Sequence, residues 1–323
     1  MAGALTSDKL IRSIKRRAMI PENQNTFTDD DFLEFANEEI QMGMVPMILK
    51  HREDFFLVQE ATDLVSNQSE YEIPYRAIGN RLRDVSFRDS NGNIYEMTRI
   101  EVQDEPNYNG PYQGDLVHAF YVLNNKIVIK PSLPIDVRGE LLFTYYMRRN
   151  DMVAESRAAT ITSIDRATGM IGVNSIPVDD NNLSIFSTAT RLDFIGHKSP
   201  HIILNFDMTP AAVNTTSNTI TFTTTDIPSD LQVGDYVNLA CEAIVPQIPS
   251  DLHMQLAQRV AIRCLDAMGD VQGVQTATAM LGELNQNASS IIDNRVEGAP
   301  RKIVNRHGLL RDGLFRRRFR FRS

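Results

Sequence analysis

The sequence predicts an α+β fold: a helical bundle built from both chain ends, an inserted antiparallel β domain and an extended C-terminal arm. Apolar residues recur at helical spacing only near the two ends, whereas the middle shows alternation and turn signals typical of strands. The last residues are rich in arginine and have neither period. The helical bundle is predicted to comprise residues 1–66 and 250–297. The β region is predicted at 67–249, with 67–150 and 151–249 as its two parts. The arm is predicted at 298–323.

The most regular helical pattern runs from Ser250 to Val296. Ser250 is the expected N-cap, because its hydroxyl can accept a hydrogen bond from a free backbone N–H. Gly269 and Gly273 predict a break. The two runs that flank this break are Leu252, Leu256, Val260 and Cys264, and then Val274, Ala277, Leu281, Leu284, Ala288 and Ile291. The second run has heptad-like spacing and therefore needs partner helices.

Two further helices are predicted near the N-terminus. Thr6 or Ser7 caps the first, whose inward residues are Leu10, Ile11 and Ile14. Thr28 and Asp31 form an acidic variant of the capping box that starts the second, and Phe27 and Phe32 occupy the positions of a hydrophobic staple. This helix is expected to continue through Ile48, with a kink at Pro46, and to extend to about Leu64.

The middle of the chain predicts antiparallel strands. Hairpins are expected where Ser90–Asn93 and Asn124–Asn125 separate β-rich runs. The expected strands are 71–75, 85–87, 94–97, 119–123, 126–130, 140–147, 160–164, 170–173, 191–195, 201–206, 219–223 and 236–240.

Composition limits the class of protein. The chain has 323 residues, of which 42% are hydrophobic and 23% charged, as in ordinary globular proteins. No apolar run is long enough for a membrane helix, and Met1–Lys15 has no signal-peptide core. Cys241 and Cys264 are too few and too far apart for a disulfide framework or a structural zinc site, so synthesis in a reducing, intracellular compartment is expected.

Charge is distributed unevenly along the chain. The net charge is −8, but residues 301–323 carry nine basic residues and one acid, Asp312, for a net +8. Residues 1–300 therefore carry −16, from 24 basic and 40 acidic residues. An acidic body repels nucleic acid, and a basic arm on such a body is typical of a connection to another molecule.

The sequence offers little chemistry. Phosphate-binding glycine motifs and the nucleophile elbow of hydrolases do not occur. His197 and His201 have metal-ligand spacing but enclose Ser199–Pro200, so they do not share a helix face, and Asp179–Asn182 is better explained as a polar turn than as a calcium loop. We therefore expect a protein that is not an enzyme and that binds no cofactor and no metal.

Three hypotheses apply to the basic arm: a solvated end, a nucleic-acid-binding arm, or an arm that docks into a protein partner. Arginines can neutralise phosphates and phenylalanines can stack on bases. A pure phosphate binder has no need of so many large apolar residues, so the docking arm is favoured. Its candidate contact residues are Arg311, Leu314, Phe315, Arg316, Arg317, Arg318, Phe319, Arg320, Phe321 and Arg322.

The two chain ends resemble a known family. The stretches 7–17 (SDKLIRSIKRR), 26–39 (TFTDDDFLEFANEE) and 245–259 (VPQIPSDLHMQLAQR), the last leading into a long helix, are similar to head-to-tail connector proteins of tailed bacteriophages. The combination is closest to the portal-proximal ring protein of short-tailed, crAss-like phages. The resemblance covers the helical ends and the tail, about 150 residues, and across the β region only the architecture matches.

The resemblance implies a structural role in the virion. Members of this family form a ring, commonly of twelve subunits, at the head–tail junction, and their C-terminal arms grip the portal protein. It also implies a next tail ring or tail protein as a partner, DNA that passes through the lumen without sequence-specific binding, no membrane contact, and synthesis in the host bacterial cytoplasm. The alternatives are a nucleic-acid-binding virion or packaging protein that uses the same arm, and a tail-associated hydrolase with a site in the β region.

Overall fold

Helical segments near the two ends of the chain and strands between them give a mixed α+β architecture. The computed structural model describes residues 5–21, 26–108, 119–130 and 139–292. All of these residues belong to one unit, Met1–Ile292.

The first two helices begin where the sequence predicts. Helix α1 spans Ser7–Arg17 and buries one apolar stripe, although its N-cap residue Thr6 makes no side-chain capping bond. Helix α2 spans Asp29–Glu39 and starts with the predicted capping box, in which the Thr28 hydroxyl accepts from the backbone N–H of Asp31 and the Asp31 carboxylate accepts from the backbone N–H of Thr28. The rings of Phe27 and Phe32 lie 5.7 Å apart, as the staple requires.

After α2 the chain makes a π-helical turn at Ile40–Met44 and continues as α3, Val45–His51. Pro46 lies in the first turn of α3, where its missing N–H costs no helical hydrogen bond. The predicted extension of the helix to about Leu64 is wrong. The backbone leaves the helical region at Arg52, and Leu57–Asp63 forms a strand because it pairs along its length with the strand at 139–147.

Two helices near the other end form a hairpin. Helix α4 spans His253–Ala267 and α5 spans Val271–Ile292. Gly269 lies between them with a φ of +75°, a conformation that favours glycine at a helix C-terminus. Two details differ from prediction: Ser250 begins a short 3-10 turn without capping through its side chain, and Gly273 lies inside α5.

One apolar core contains buried side chains from all of these helices. Leu10 of α1, Phe32 of α2 and Leu256 of α4 are each fully buried in it. The thiol of Cys264, a member of the predicted apolar run, is also fully buried, and burial raises its pKa to about 11. Helix α4 therefore provides the surface on which α1, α2 and α5 pack.

The strands between residues 57 and 147 form two four-stranded sheets, with orders β1-β8-β3-β4 and β2-β7-β6-β5. Both predicted hairpins are confirmed, since β3 pairs with β4 and β6 pairs with β7. Asn124 and Asn125 both have positive φ, as a tight hairpin turn requires. The strands are β1 (Leu57–Asp63), β2 (Glu70–Glu72), β3 (Ala77–Asp89), β4 (Ile94–Glu96), β5 (Thr98–Arg99), β6 (Ala119–Leu123), β7 (Lys126–Lys130) and β8 (Gly139–Met147).

A second group of strands follows residue 150 and has its own apolar core. Seven of them make one sheet in the order β13-β12-β16-β10-β11-β15-β14, while β9 pairs with β17 in parallel. Their bounds are β9 (Asp151–Met152), β10 (Ala159–Asp165), β11 (Met170–Val173), β12 (Leu192–Ile195), β13 (Ile203–Met208), β14 (Ala212–Asn214), β15 (Thr219–Thr221), β16 (Tyr236–Leu239) and β17 (Glu242–Ala243).

Within the described ranges, no helix combines the length and the apolar character that crossing a bilayer requires.

Candidate interaction surfaces

The predicted docking residues of the arm, from Arg311 to Arg322, lie outside the described residues. Their role stays a prediction. The described part of the chain offers a helix face, an acidic groove, a cleft between strands and two buried polar clusters.

Helix α5 has two chemically different faces. Its inner face packs on α4, and it buries Ala277 and Ala288 and half-buries Leu281 and Leu284. The side chain of Ile291, the last residue of the predicted seam, lies outside the described part. The outer face is exposed and consists mainly of glutamine, small residues and Met280, which is 58% exposed. Glu283 is the single charged residue in the whole helix.

This lack of charge is notable for a helix that is exposed along one side. Isolated surface helices usually carry charged residues on the face opposite the core. The centres of protein interfaces, by contrast, are depleted of charged residues. The outer face of α5 is therefore suited to contact with another protein surface.

An acidic groove runs between α2 and the segment 151–157. It has a volume of about 460 Å³ and an apolar floor that includes Leu33 and Met152. Its carboxylates are those of Asp30, Glu34, Glu38 and Asp151, and its one cation, Arg157, is paired with Glu242 at 2.6 Å. Such a groove attracts positively charged groups.

A larger cleft of about 810 Å³ lies between β3 and the β5–β6 edge. It is lined by charges of both signs, among them Arg81, Arg83, Asp84 and Glu96.

The most strongly charged buried cluster joins the two groups of strands. Arg76, which precedes β3, is 3% exposed and donates two hydrogen bonds to Asp193 of β12, at 2.9 and 3.0 Å. It also donates to Asp207 of β13, at 2.8 and 2.9 Å. Burial alone would lower the pKa of Arg76, but the hydrogen bonds to Asp207 and the charge of Asp193 raise it above its ordinary value.

Asn150 completes this cluster. Its side-chain amide accepts from Arg76 at 3.2 Å and donates to Asp193 at 2.7 Å, while its backbone N–H donates to Gln247. A cation whose donors are nearly all satisfied by two carboxylates has no free capacity for a ligand. We interpret the cluster as a joint that fixes the two groups of strands. Sequence reasoning missed it because Arg76 lies more than a hundred residues before both carboxylates and the members share no local motif.

The prediction that His197 and His201 do not share a helix face is confirmed, since both lie in the segment between β12 and β13. His197 Nδ1 lies 2.6 Å from Asp235, whereas the His201 ring is buried and stacks at 6.2 Å on that of His253 at the start of α4. Burial is the main cause that lowers the pKa of both His201 and His253, that of His253 to about 4. Among the described residues, no group of three or more acidic, histidine or cysteine side chains could hold a metal ion.

The polar-turn interpretation of Asp179–Asn182 is confirmed. The Asp179 carboxylate accepts from the backbone N–H groups of Asn181 and Leu183, at 2.9 and 2.8 Å. These bonds engage the carboxylate within the turn itself.

No protein-family model matches the chain, and no curated protein is significantly similar to it in sequence. Its function must therefore be argued from its surfaces.

Proposed function

We propose that this chain is a structural virion protein that forms an oligomeric ring, joins the portal to the tail and lines the DNA exit channel. The ring has about twelve copies, as the connector resemblance implies. Its partners are the portal protein and the next tail ring or tail protein, and DNA passes through its lumen without sequence-specific binding. The observation that carries the proposal is the exposed, nearly uncharged outer face of α5.

The packing of the helices supports this proposal. According to the proposal, α1, α2, α4 and α5 form a bundle built from both chain ends. Their common apolar core holds each subunit of the ring together. Several side-chain bonds connect the two ends, among them Arg17 to Gln258, Arg259 to Glu39, and Arg263 to Glu39. The inner seam of α5 is occupied by α4 of the same chain, so its outer face is available to a neighbouring subunit.

The charge distribution also supports it. A body with a net charge of −16 suits a channel that must release DNA, because it does not hold the phosphate backbone. The basic arm, with its interleaved phenylalanines, provides a separate segment for docking into the portal. The nucleic-acid-binding alternative rests on the same net +8 of that arm.

The test is a mass measurement on the full-length protein, alone and mixed with the portal protein of its phage. The same measurement is made on a shortened chain that ends at Pro300. We expect the full-length protein to join the portal as a ring and the shortened chain to fail to do so. Salt titration separates the alternatives, since phosphate binding weakens steeply with salt and apolar docking less so.

Two outcomes would contradict the proposal. One is a full-length chain that stays monomeric and leaves the portal unbound, and the other is a full-length chain that shifts DNA at physiological salt without binding the portal. The second result would establish the nucleic-acid alternative.

A further inference from the structure

Helix α1 carries an exposed basic face. Arg12, Arg16 and Met19 are spaced by four and then three residues, so they lie along one side of the helix and its C-terminal end. Both arginines are exposed, and neither lies within ion-pair distance of a described carboxylate. Met19 is 90% exposed, more than any other large apolar side chain in the described ranges. We call these three residues the α1 stripe.

The acidic groove beside α2 carries the opposite charge at the same interval. Asp30 and Glu34 lie four residues apart on α2, are exposed, and have no ion-pair partner in the described part of the chain. The other two carboxylates of the groove, those of Glu38 and Asp151, accept hydrogen bonds from side chains of the same chain. Asp30 and Glu34 are therefore the acids of the groove that are available to a partner.

Each of these like-charged pairs is unfavourable in an isolated subunit. Residues four apart on a helix have Cβ atoms about 5 to 6 Å apart, and like charges at this spacing destabilise the helix. The two arginines on α1 therefore repel each other, and so do the two carboxylates on α2. Because the interval is the same on both helices, one arrangement can bring each arginine next to one carboxylate.

Apolar side chains accompany the charges on both surfaces. Met19 follows the end of α1, where its φ of +54° turns the chain out of the helix. The floor of the acidic groove includes Leu33 and Met152, and the groove has a volume of about 460 Å³. Contacts between proteins combine an apolar centre with a polar rim. The stripe and the groove provide the two halves of such a contact.

The stripe does not reach the groove of its own chain. Helices α1 and α2 both pack on the common core, and Lys15 of α1 pairs with Asp29, the first residue of α2, at 2.8 Å. With the helices in these positions, neither arginine of the stripe pairs with a carboxylate of the groove. Partners for the two surfaces must therefore come from other molecules, and a second copy of this chain provides both.

We propose that the α1 stripe of one copy of this chain binds the acidic groove of a second copy. The two arginines would pair with Asp30 and Glu34, and Met19 would contact the apolar floor. The stripe and the groove lie on different helices, so each copy can offer its stripe to one neighbour and its groove to the other. Resting on the proposed ring, this head-to-tail contact supplies the two different patches that closure requires of every subunit.

The test is sedimentation velocity of the full-length protein over a range of concentrations. The stripe variant is Arg12→Glu/Arg16→Glu, and the groove variant is Asp30→Arg/Glu34→Arg. Each should raise the protein concentration needed for association at least about tenfold, because like charges that face each other across an interface disfavour it strongly. Wild-type association should also weaken as salt rises from about 0.05 to about 0.5 M, since salt screens exposed charges.

Matched controls carry the same changes of charge elsewhere on the surface. Arg81→Glu/Arg99→Glu matches the stripe variant, and Glu72→Arg/Glu96→Arg matches the groove variant, since all four side chains are exposed on strands. Both controls should associate as the wild type does.

A 1:1 mixture of the stripe and groove variants should associate again. In the mixture, the reversed stripe of one variant meets the reversed groove of the other, and the remaining stripe and groove are unchanged. Mixing does not correct a folding defect, so this rescue separates a contact between copies from a role within the subunit.

Association of either variant at the wild-type concentration would overturn the proposed contact, as would a mixture that stays monomeric. Loss of association in the groove variant and in a chain that ends at Pro300, with the stripe variant unaffected, would show that the groove binds the basic arm instead. A wild-type ring that neither variant weakens would overturn this contact and leave the proposed ring intact. Wild-type pairs or open chains that both variants disrupt would support the contact and contradict the ring, and a wild type that is monomeric at every concentration would contradict both.

Discussion

Arg76 and Asp193 form a two-hydrogen-bond ion pair in which the carboxylate is completely buried and the guanidinium is 3% exposed. This pair links the segment before β3 to the central part of the second group of strands. Asp193 also accepts from the backbone N–H groups of Cys241 and Asp207, at 3.1 and 2.9 Å. Loss of Arg76 would therefore leave a carboxylate that cannot reach water.

Arg76→Met should destabilise the protein by about 3 to 5 kcal/mol, because a buried carboxylate would lose its counter-charge. Chemical denaturation measures this loss. The control is Arg88→Met, since Arg88 and its partner Glu140 are about a third exposed and such pairs contribute up to about 1 kcal/mol. Equal losses in the two variants would show that the Arg76 cluster is not a structural joint.

His253→Phe should make the protein less sensitive to acid. Above pH 6.5, the ordinary pKa of histidine, His253 is neutral in both the folded and the unfolded chain. Between pH 6.5 and about 4 the unfolded chain takes up a proton at His253, whereas the folded chain does not. Stability contributed by neutral His253 is therefore lost as pH falls from about 6.5 to about 4. As the pH falls from 6.5 to 4, the free energy of unfolding should decrease by roughly 1 to 3 kcal/mol less in the variant than in the wild type.

Denaturation at a series of pH values measures this difference. His51→Gln is the control, because His51 lies half-buried at the end of α3 and does not stack on another histidine. If His253→Phe and the wild type have parallel stability curves, the buried histidine pair has no part in acid sensitivity.

Two substitutions compare the effect of a charge on the inner face of α5 with its effect on the outer face. Ala277→Asp places a carboxylate against α4, where the wild-type side chain is 6% exposed, and should cost at least about 2 kcal/mol of stability. Ala279→Asp lies on the exposed face and should leave stability nearly unchanged. Under the proposed function it should also weaken ring assembly, which light scattering would detect. A ring that tolerates Ala279→Asp would exclude the outer face as the subunit contact.

Thr28→Ala should cost about 1 kcal/mol, since it removes the side-chain acceptor that caps α2. It should also raise the pKa of Asp31, because the backbone and side-chain hydrogen bonds from Thr28 hold that pKa below its ordinary value. NMR titration of Asp31 in the two proteins measures this change. Thr26→Ala, two residues before the cap, serves as the control and should leave the pKa unaltered.

The sequence predicted those structural elements that are determined by residues close together in the chain. The capping box of Thr28 and Asp31, the break at Gly269 and the turn at Asn124–Asn125 each depend on residues within a few positions of one another. Strand β1 could not be predicted in this way. Its residues become a strand only because β8, some eighty positions later, provides hydrogen-bonding partners on one side.

The same distinction applies to the functional surfaces. The uncharged character of α5 is visible in the sequence, but which of its faces is exposed depends on the position of α4. The cluster around Arg76 is assembled from distant segments and gives no local signal. The arm was identified by composition alone, and its residues lie outside the described part.

The core shared by α1, α2 and α4 has a consequence for synthesis of the protein. About 200 residues separate the end of α3 from the start of α4. At about 5 to 20 residues per second, the N-terminal helices wait on the order of 10 to 40 s before the helix that covers them emerges. During that interval Leu10, Phe32 and their neighbours lack the α4 surface that completes their core in the folded protein. The N-terminal helices thus reach their native core only after α4 has been synthesised, and until then they expose apolar surface of the kind that chaperones bind.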